Sequence, residues 1–279
     1  MKRLTLLFAV TASALLAVGG TIAVGSAAAT STLPTLSLTV TKSSITVGGA
    51  TQSGGVNVVS TATGVKEANV ILFLLKPGAT FDEVEAAVQK AHGDTNVTSK
   101  YGSLVFDAEV SPGQSSEVQT YLQPGQYVAL LPGGEGKGSK AHAIFTVTAA
   151  ASPVALPTPQ ATISSIEFGF RGPSTLHDGE LVRFENEGFL VHMDIAAPVK
   201  NMKAAKQAVK DLFTGKEKAV EKLIIGPPAA FAGPLSHEAF QQETITAKPG
   251  IYVEVCFMDT QDRRQHTLLG MERIIRIVK

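Results

Sequence analysis

The sequence is poor in several residue types, and each shortage excludes a class of protein. Its 279 residues include one cysteine and no tryptophan, with six histidines and five methionines. A lone cysteine cannot form a disulfide within the chain, so a disulfide-stapled scaffold is excluded. Lysine plus arginine equals aspartate plus glutamate at 24 each, and there is no basic block, so nucleic acid is not an expected partner.

The N-terminus has the pattern of a bacterial export signal. Lys2 and Arg3 precede an apolar stretch over residues 4–24, and small residues follow up to Ala29. This order predicts a signal peptide over residues 1–29 and therefore a secreted protein or one of the periplasm or cell envelope. The apolar stretch is long enough to anchor the chain in a membrane if it is retained.

A segment rich in proline and alanine, residues 149–161, divides the remaining chain. Three prolines within seven residues and the lack of apolar periodicity predict a stiff linker between two domains, residues 30–148 and 162–279. Each domain has a strand that ends near a proline, a helical stretch, a Pro-Gly-x-Tyr-Val segment and a final apolar strand. An internal repeat is therefore the simplest interpretation.

Many short strands separated by turn signals predict an all-β fold, with one β-sandwich and one inserted helix per domain. In the first domain, Thr80 and Glu83 form a capping-box pattern that opens a helix through about Ala91. In the second domain, a helix is predicted over residues 201–223 and a short strand over residues 165–170. The predicted apolar face of that helix consists of Met202, Ala205, Val209, Leu212 and Phe213, and the opposite face carries Lys203, Lys206 and Lys210.

Scarce residue types gather near the C-terminus. Cys256 ends an apolar run, and His266 and Met271 follow within fifteen positions. Together with His192 upstream, they supply two imidazoles, a thiolate and a thioether, the donor set of a mononuclear copper site with a weak axial methionine. The alternatives are a buried structural cysteine, a core histidine bonded to a backbone carbonyl, and a methionine that fills space in the core.

The repeat provides an internal control for this site. Aligning the prolines that end the two corresponding strands places Ile71 at the position of His192. Aligning the two Pro-Gly-x-Tyr-Val segments places Leu131 at the position of Cys256. Because these side chains are apolar, the first domain is not expected to hold the same metal.

The motifs of the second domain resemble those of a known family. Phe184-Glu185-Asn186 followed by His192, and then Cys256, His266 and Gly270-Met271 before a final strand, resembles plastocyanin and the wider cupredoxins. The second domain is similar in particular to a group of uncharacterised secreted bacterial cupredoxin-like proteins, and the first domain matches more weakly, without the ligands.

The resemblance implies two tandem Greek-key cupredoxin-like β-sandwiches and one copper ion per chain. It implies His192, Cys256 and His266 as equatorial ligands and Met271 as the axial ligand. Nine residues separate Cys256 from His266, more than electron-carrying cupredoxins generally have.

The leading functional hypothesis is a secreted or envelope type 1 copper protein that passes single electrons to a redox protein partner in the cell envelope. Two alternatives stay open: a metal-free tandem β-sandwich that acts as a binding or structural module, and copper storage or delivery. An enzyme is not expected, because multicopper oxidases need His-x-His pairs and the sequence has none. Asn96-Val97-Thr98 fits a glycosylation sequon, which has little weight beside a bacterial signal peptide.

Overall fold

A computed structural model describes residues 33–65, 68–111, 115–132 and 141–279, so the predicted signal peptide lies outside the described residues. In the first half the elements are β1 (Thr35–Val40), β2 (Ile45–Gly49), β3 (Gly54–Ala62), β4 (Ala68–Leu75), α1 (Phe81–Lys90), a 3-10 helix (Thr95–Lys100), β5 (Gly102–Val110), β6 (Ser115–Leu122), β7 (Gly125–Leu131) and β8 (Ala141–Val147).

The second half follows the same plan with additions. Its elements are β9 (Ala161–Ile166), β10 (Gly169–Arg171), β11 (Thr175–His177), β12 (Leu181–Asn186), β13 (His192–Val199), α2 (Met202–Phe213), α3 (Glu217–Glu221), β14 (Ala229–Leu235), β15 (Phe240–Thr244), β16 (Gly250–Val255), a 3-10 helix (His266–Leu269) and β17 (Glu272–Val278). Within the described residues, no helix has the length and apolar character that crossing a bilayer requires.

The strand order is the same in both halves. One sheet of the first half runs β5-β4-β7-β8, and its counterpart runs β14-β13-β16-β17, with β11 added at the edge. The other sheets run β6-β3-β1-β2 and β15-β12-β9-β10. Each half is therefore a β-sandwich, and the predicted all-β sandwich fold is confirmed.

The two sandwiches share one sheet, which the sequence did not predict. Strands β6 and β15 pair edge to edge, with Gln119 opposite Gln242, and so join four strands from each half into one eight-stranded sheet. The Gln242 side chain donates to Gln119 Oε1 at 2.9 Å and to the carbonyl of Pro157 at 3.0 Å. The pairing covers an edge that would otherwise present unpaired backbone groups.

Each sandwich has its own core, built by alternation along the strands. On β1, Leu36, Leu38 and Val40 are fully buried and the residues between them are more exposed, as expected where one strand face points inward. In the second core, the rings of Phe184 and Phe231 stack with centroids 5.0 Å apart. These cores fix the strands whose ends carry the candidate ligands.

Helix α1 begins as predicted. The Thr80 hydroxyl accepts the Glu83 N–H, and the Glu83 carboxylate accepts the Thr80 N–H at 2.9 Å, which completes the capping box. Phe81 and Val84 are buried against the outer face of the β5-β4-β7-β8 sheet, in a cluster that includes Phe73 and Val128.

The prediction of one continuous helix over residues 201–223 was wrong. The chain breaks between α2 and α3 at Gly215, whose φ of +68° is a left-handed conformation that ends helices. Ala205 and Leu212 are buried as predicted, but Phe213 is 55% exposed. Neighbouring helix positions point about 100° apart, and Leu212 takes the buried direction. Lys203, Lys206 and Lys210 are exposed as predicted.

The predicted single strand over residues 165–170 is a hairpin instead. Strands β9 and β10 pair antiparallel, with Gly169 opposite Ile166, and Glu167 and Phe168 form the turn. The Glu167 carboxylate accepts the backbone N–H groups of Phe189 and Leu190, so the turn is tied to the segment just before β13. This tie places the hairpin turn beside the candidate site.

Candidate metal centre

Three donor atoms from distant parts of the chain meet at one end of the second sandwich. His192 opens β13, Cys256 directly follows β16, and His266 opens the last 3-10 helix. Cys256 Sγ lies 3.4 Å from His266 Nδ1 and 3.8 Å from His192 Nδ1, and the two Nδ1 atoms are 3.2 Å apart. The ligand atoms all lie within 4.8 Å of one another, close enough for one ion to bind all three.

The cluster is enclosed. Cys256 and His266 are fully buried and His192 is 1% exposed. Among the described residues, no other group of three or more His, Cys, Asp or Glu side chains is placed so that it could hold a metal ion. The Nε2 atoms of His192 and His266 have no hydrogen-bond partner within the part of the chain that the structure describes, and the Nδ1 atom of each ring faces the cluster. His192 therefore does not have the carbonyl partner expected of a structural core histidine.

Burial keeps all three groups neutral in the metal-free chain. Desolvation raises the pKa of the Cys256 thiol to about 12, against smaller opposing effects from the N–H groups of Met193 and Met258. Desolvation lowers the pKa of His192 to about 3, with a further contribution from His266, and lowers the pKa of His266 to about 4. Neutral imidazoles are ready to bind a metal, whereas the thiol must lose its proton.

Met271 is fully buried next to two of the candidate ligands. Its N–H donates to the His266 carbonyl at 3.0 Å, and its carbonyl accepts the Cys256 N–H at 3.3 Å. These backbone bonds tie Met271 to both Cys256 and His266. A thioether is a weak axial ligand in copper sites of this donor set.

The long segment between Cys256 and His266 folds back on itself. The His266 N–H donates to the Met258 carbonyl at 2.8 Å, and Asp259 pairs with Gln265 in an isolated bridge. The residues between them form a compact side turn, in which the Thr260 N–H donates to the Arg264 carbonyl at 2.9 Å. The hydrogen bond from His266 to Met258 closes this segment only two residues after Cys256. Cys256 and His266 are therefore joined by a short closed segment and not by a long open loop.

A layer of charged side chains lies directly beneath the cluster. Asp194, Glu254 and Arg273 each sit two residues from a candidate ligand on β13, β16 and β17, and therefore on the same strand face. Glu254 forms an ion pair with Arg273. Desolvation and the neighbouring Glu254 raise the pKa of Asp194 well above its usual range. These residues were not predicted from the sequence, although a charged residue two positions from each of His192, Cys256 and Met271 was a visible signal.

An aromatic side chain covers the outer side of the cluster. The Phe168 ring packs edge-on against the His266 ring with centroids 5.3 Å apart. Phe168 has a φ of +58°, uncommon for a residue with a side chain, and the Glu167 contacts hold its turn in place. The cover and the burial of His266 together separate the donor atoms from solvent.

Among the described residues of the first half there is no equivalent cluster, but the predicted correspondence was wrong at one position. Ile71 pairs with Leu130, and Ile195 pairs with Val255, so the strand register makes Ile71 the counterpart of Ile195. The same register places the counterpart of His192 at position 68, where the sequence has alanine. Matching the prolines failed because Pro198 lies within β13, opposite Tyr252, whereas Pro77 lies two residues beyond the end of β4. Leu131 remains the counterpart of Cys256.

Comparisons with known proteins gave structural similarities but no sequence family. Neither the protein-family models nor the curated proteins matched this chain. Among solved structures, dithionite-reduced auracyanin from Roseiflexus castenholzii shares 18% identity over 42% of this chain and 95% of its own, with a TM-score of 0.27. A copper-containing nitrite reductase from Thermus scotoductus shares 13% identity over 88% of this chain and 68% of its own, with a TM-score of 0.25.

An azurin from Methylomonas sp. strain J shares 12% identity over 42% of this chain and 96% of its own, with a TM-score of 0.22. All these scores are below 0.5, so the description of this chain rests on its own geometry. A two-sheet sandwich holds a His-Cys-His cluster at the end of β13 and β16, with Met271 beside it. The chain is cupredoxin-like in fold and in its ligand cluster. The donor set fits one copper ion.

Proposed function

We propose that this chain is a type 1 copper protein that carries single electrons. The observation that supports the proposal most directly is the convergence of Cys256 Sγ with the Nδ1 atoms of His192 and His266, whose side chains are all buried. Soft sulfur and imidazole donors in a trigonal set are typical of copper electron-transfer sites. Met271 is the proposed axial ligand.

The chain supplies this site with ligands that are already in place. Both imidazoles are neutral above about pH 5, since their pKa values are about 3 and 4. The Cys256 thiol gives up its proton when the metal binds, and the Met193 N–H, 3.4 Å from Sγ, then stabilises the thiolate. Copper bound there supplies a one-electron redox couple. Strand ends and the closed side turn hold the donors, so little rearrangement is expected between oxidation states.

Burial favours an electron carrier over an enzyme. The two histidines and the cysteine are at most 1% exposed, and Phe168 packs over His266, so a substrate has no open approach to the donor atoms. An electron can cross a thin protein layer, whereas a substrate that must bind the metal cannot. The same enclosure slows the loss of bound copper, so rapid delivery to another protein is less well supported.

We propose that the redox partner docks beside His266 and carries acidic groups. Residues 200–223 contain seven lysines and three acidic residues, in a chain whose formal net charge is zero. The seven lysines are all exposed. Leu268, on the 3-10 helix that His266 opens, is 37% exposed, and a Cβ on Gly215 would lie 3.4 Å from it. A basic, partly apolar surface next to a ligand suits an acidic partner.

The proposed location is outside the cytoplasm, in the periplasm or cell envelope or in the medium. Support comes from the basic start, apolar stretch and small-residue exit over residues 1–29. Fractionation of the source cells, with immunodetection of the chain and N-terminal sequencing of the product, tests this location directly.

A redox titration of the copper-loaded chain tests the electron-carrier proposal. One equivalent of Cu(II) is added to the metal-free protein, and reductant and oxidant are then added in turn while the visible thiolate-to-copper band is followed. We expect the band to disappear and return through repeated cycles with one electron per chain. Copper that dissociates on each reduction would favour storage or delivery. A chain that retains no copper after dialysis would favour a metal-free module.

A further inference from the structure

One side chain of the first half reaches both segments that carry ligands in the second half. Asn96 lies in the 3-10 helix before β5 and is 8% exposed. Its Oδ1 accepts the Val191 N–H at 2.8 Å, and its Nδ2 donates to the Asp259 carbonyl at 3.0 Å. Val191 directly precedes His192, and Asp259 begins the side turn that leads back to His266.

Asn96 is itself held rigidly in the first half. Its N–H and its Nδ2 both donate to Asp94 Oδ1, at 2.9 Å and 2.8 Å. Its carbonyl accepts the Ser99 hydroxyl at 2.9 Å. Asp94 and Ser99 therefore hold the Asn96 backbone and its Nδ2 within the first half, while Oδ1 is directed to the Val191 N–H. The same contacts leave the sequon asparagine no free amide for a glycan.

Apolar packing supports the same two segments. Val191 and Met258 join the cluster formed by Phe73, Phe81 and Val128 on the outer face of the first half. Met258 also accepts the His266 N–H, so the residue that packs on the first half is the one that closes the ligand segment. The first half therefore contacts the chain immediately beside His192 and close to both Cys256 and His266.

We propose that the first half acts as a positioning domain for the copper ligands of the second, and that Asn96 is its positioning residue. By bonding Val191 and Asp259 at once, Asn96 fixes the separation between the segments that carry His192 and His266. This gives the ligand-free half a role in the same site. The proposal rests on the proposed copper function where it is tested by the spectrum of the copper-loaded chain. Its test by amide exchange in the metal-free chain does not depend on that function.

The test uses the full chain with three substitutions. Asn96→Leu removes both hydrogen bonds to the ligand segments, together with the one to Asp94, at similar volume. Asn96→Asp keeps an acceptor for the Val191 N–H but loses the donor to the Asp259 carbonyl and to Asp94 Oδ1. Asn201→Ala is the control, because it removes the N-cap bond to Ala204 on α2 without touching either ligand segment.

Two measurements are made on each protein. In the metal-free state, we expect Asn96→Leu to speed amide exchange at Val191 and residues 259–265 about tenfold, because a local opening loses hydrogen bonds that held it shut. Asn96→Asp should speed exchange at residues 259–265 and leave Val191 protected. In the copper state, both variants should shift the thiolate-to-copper band and the copper hyperfine coupling, and Asn201→Ala should leave both unchanged.

The outcomes separate this inference from the proposed function. If the unsubstituted chain takes up no copper, the copper function fails, while amide exchange still decides whether Asn96 orders the ligand segments. Exchange in Asn96→Leu equal to that in Asn201→Ala would overturn the inference, as would an unchanged band and hyperfine coupling. If Asn96→Leu does not fold, Asn96→Asp decides by the same criteria.

Discussion

The two halves of this molecule have the same strand order and differ at one end of the sandwich. In the second half, the ends of β13 and β16 carry His192 and Cys256, which meet in a buried cluster. In the first half, the Cys256 counterpart is Leu131, which is buried in the apolar core. The outer face of that half instead packs against Val191 and Met258 of the second. The scaffold does not itself make a metal site, because a few residues at strand ends decide whether one forms.

The largest expected difference between the halves concerns their histidines. His192→Ala and His266→Ala should each weaken copper binding by well over ~100-fold, more than the loss of an outer-shell partner usually costs. His142→Ala, in β8 of the first half, should leave copper affinity unchanged, because the His142 ring packs at a tilt against Phe81 and is not part of the ligand cluster. Competition titrations with a copper chelator measure all three variants. Equal losses of copper affinity in all three variants would show that the histidines of the second half are not special as copper ligands.

Copper affinity should depend steeply on pH because of Cys256. Its thiol has a pKa of about 12 in the metal-free fold, so binding below that pH releases one proton. Both histidines are already neutral above about pH 5. Affinity should therefore rise about tenfold per pH unit, or about a hundredfold from pH 6 to pH 8. The slope should vanish in Cys256→Ser, and a flat profile in the unsubstituted chain would show that no thiolate binds the metal.

Crowding His192 should have an intermediate effect. A Cβ on Gly188 would lie 2.7 Å from His192 Nε2 and 2.8 Å from Glu167 Oε1, so Gly188→Ala must displace the imidazole. Overpacking of this kind costs about 1–3 kcal/mol, which corresponds to a loss of about fivefold to 150-fold in copper affinity. Gly169→Ala is the matched control, since its added Cβ would have its nearest contact at 3.6 Å, with Ile166. Similar affinities for the two variants would place His192 outside the binding site.

The smallest effect is expected from the charged surface. Changing Lys203, Lys206 and Lys210 to glutamate should slow oxidation of the copper-loaded chain by ferricyanide a few-fold at low ionic strength, because an anion is no longer attracted. The difference should fade in high salt. The same change at three exposed lysines of the first half, Lys42, Lys76 and Lys90, is the control and should have less effect. Stopped-flow mixing measures the oxidation rates. Equal slowing by both triple-lysine variants would show that the α2 surface does not attract the anion more than other exposed lysines do.

Some features of the fold and site could be predicted because their signals are local or rare. The capping box of Thr80 and Glu83 spans three residues, and the structure forms it as predicted. The break at Gly215 was missed because apolar spacing continues through it. The hairpin at Phe168 was missed because Ile166, Phe168 and Phe170 alternate as in one continuous strand, and this pattern outweighed the turn signal of Gly169.

Other features depend on contacts between residues far apart in the chain. Gln119 and Gln242 join the two sandwiches across 123 positions, and Asn96 reaches Val191 across 95 and Asp259 across 163. No periodicity encodes such pairs. The four proposed ligands were found from their scarcity and order, whereas their positioning residue was noticed only as a sequon.

The most direct test of the copper site is a Cu(II) titration of the metal-free full chain, followed by visible absorption, beside Cys256→Ser. The geometry predicts an intense thiolate-to-copper band that grows linearly and stops at one copper per chain, and no such band in Cys256→Ser. A band of equal intensity in Cys256→Ser, or none in the unsubstituted chain at any copper ratio, would contradict the assignment of Cys256, His192 and His266 as a copper centre.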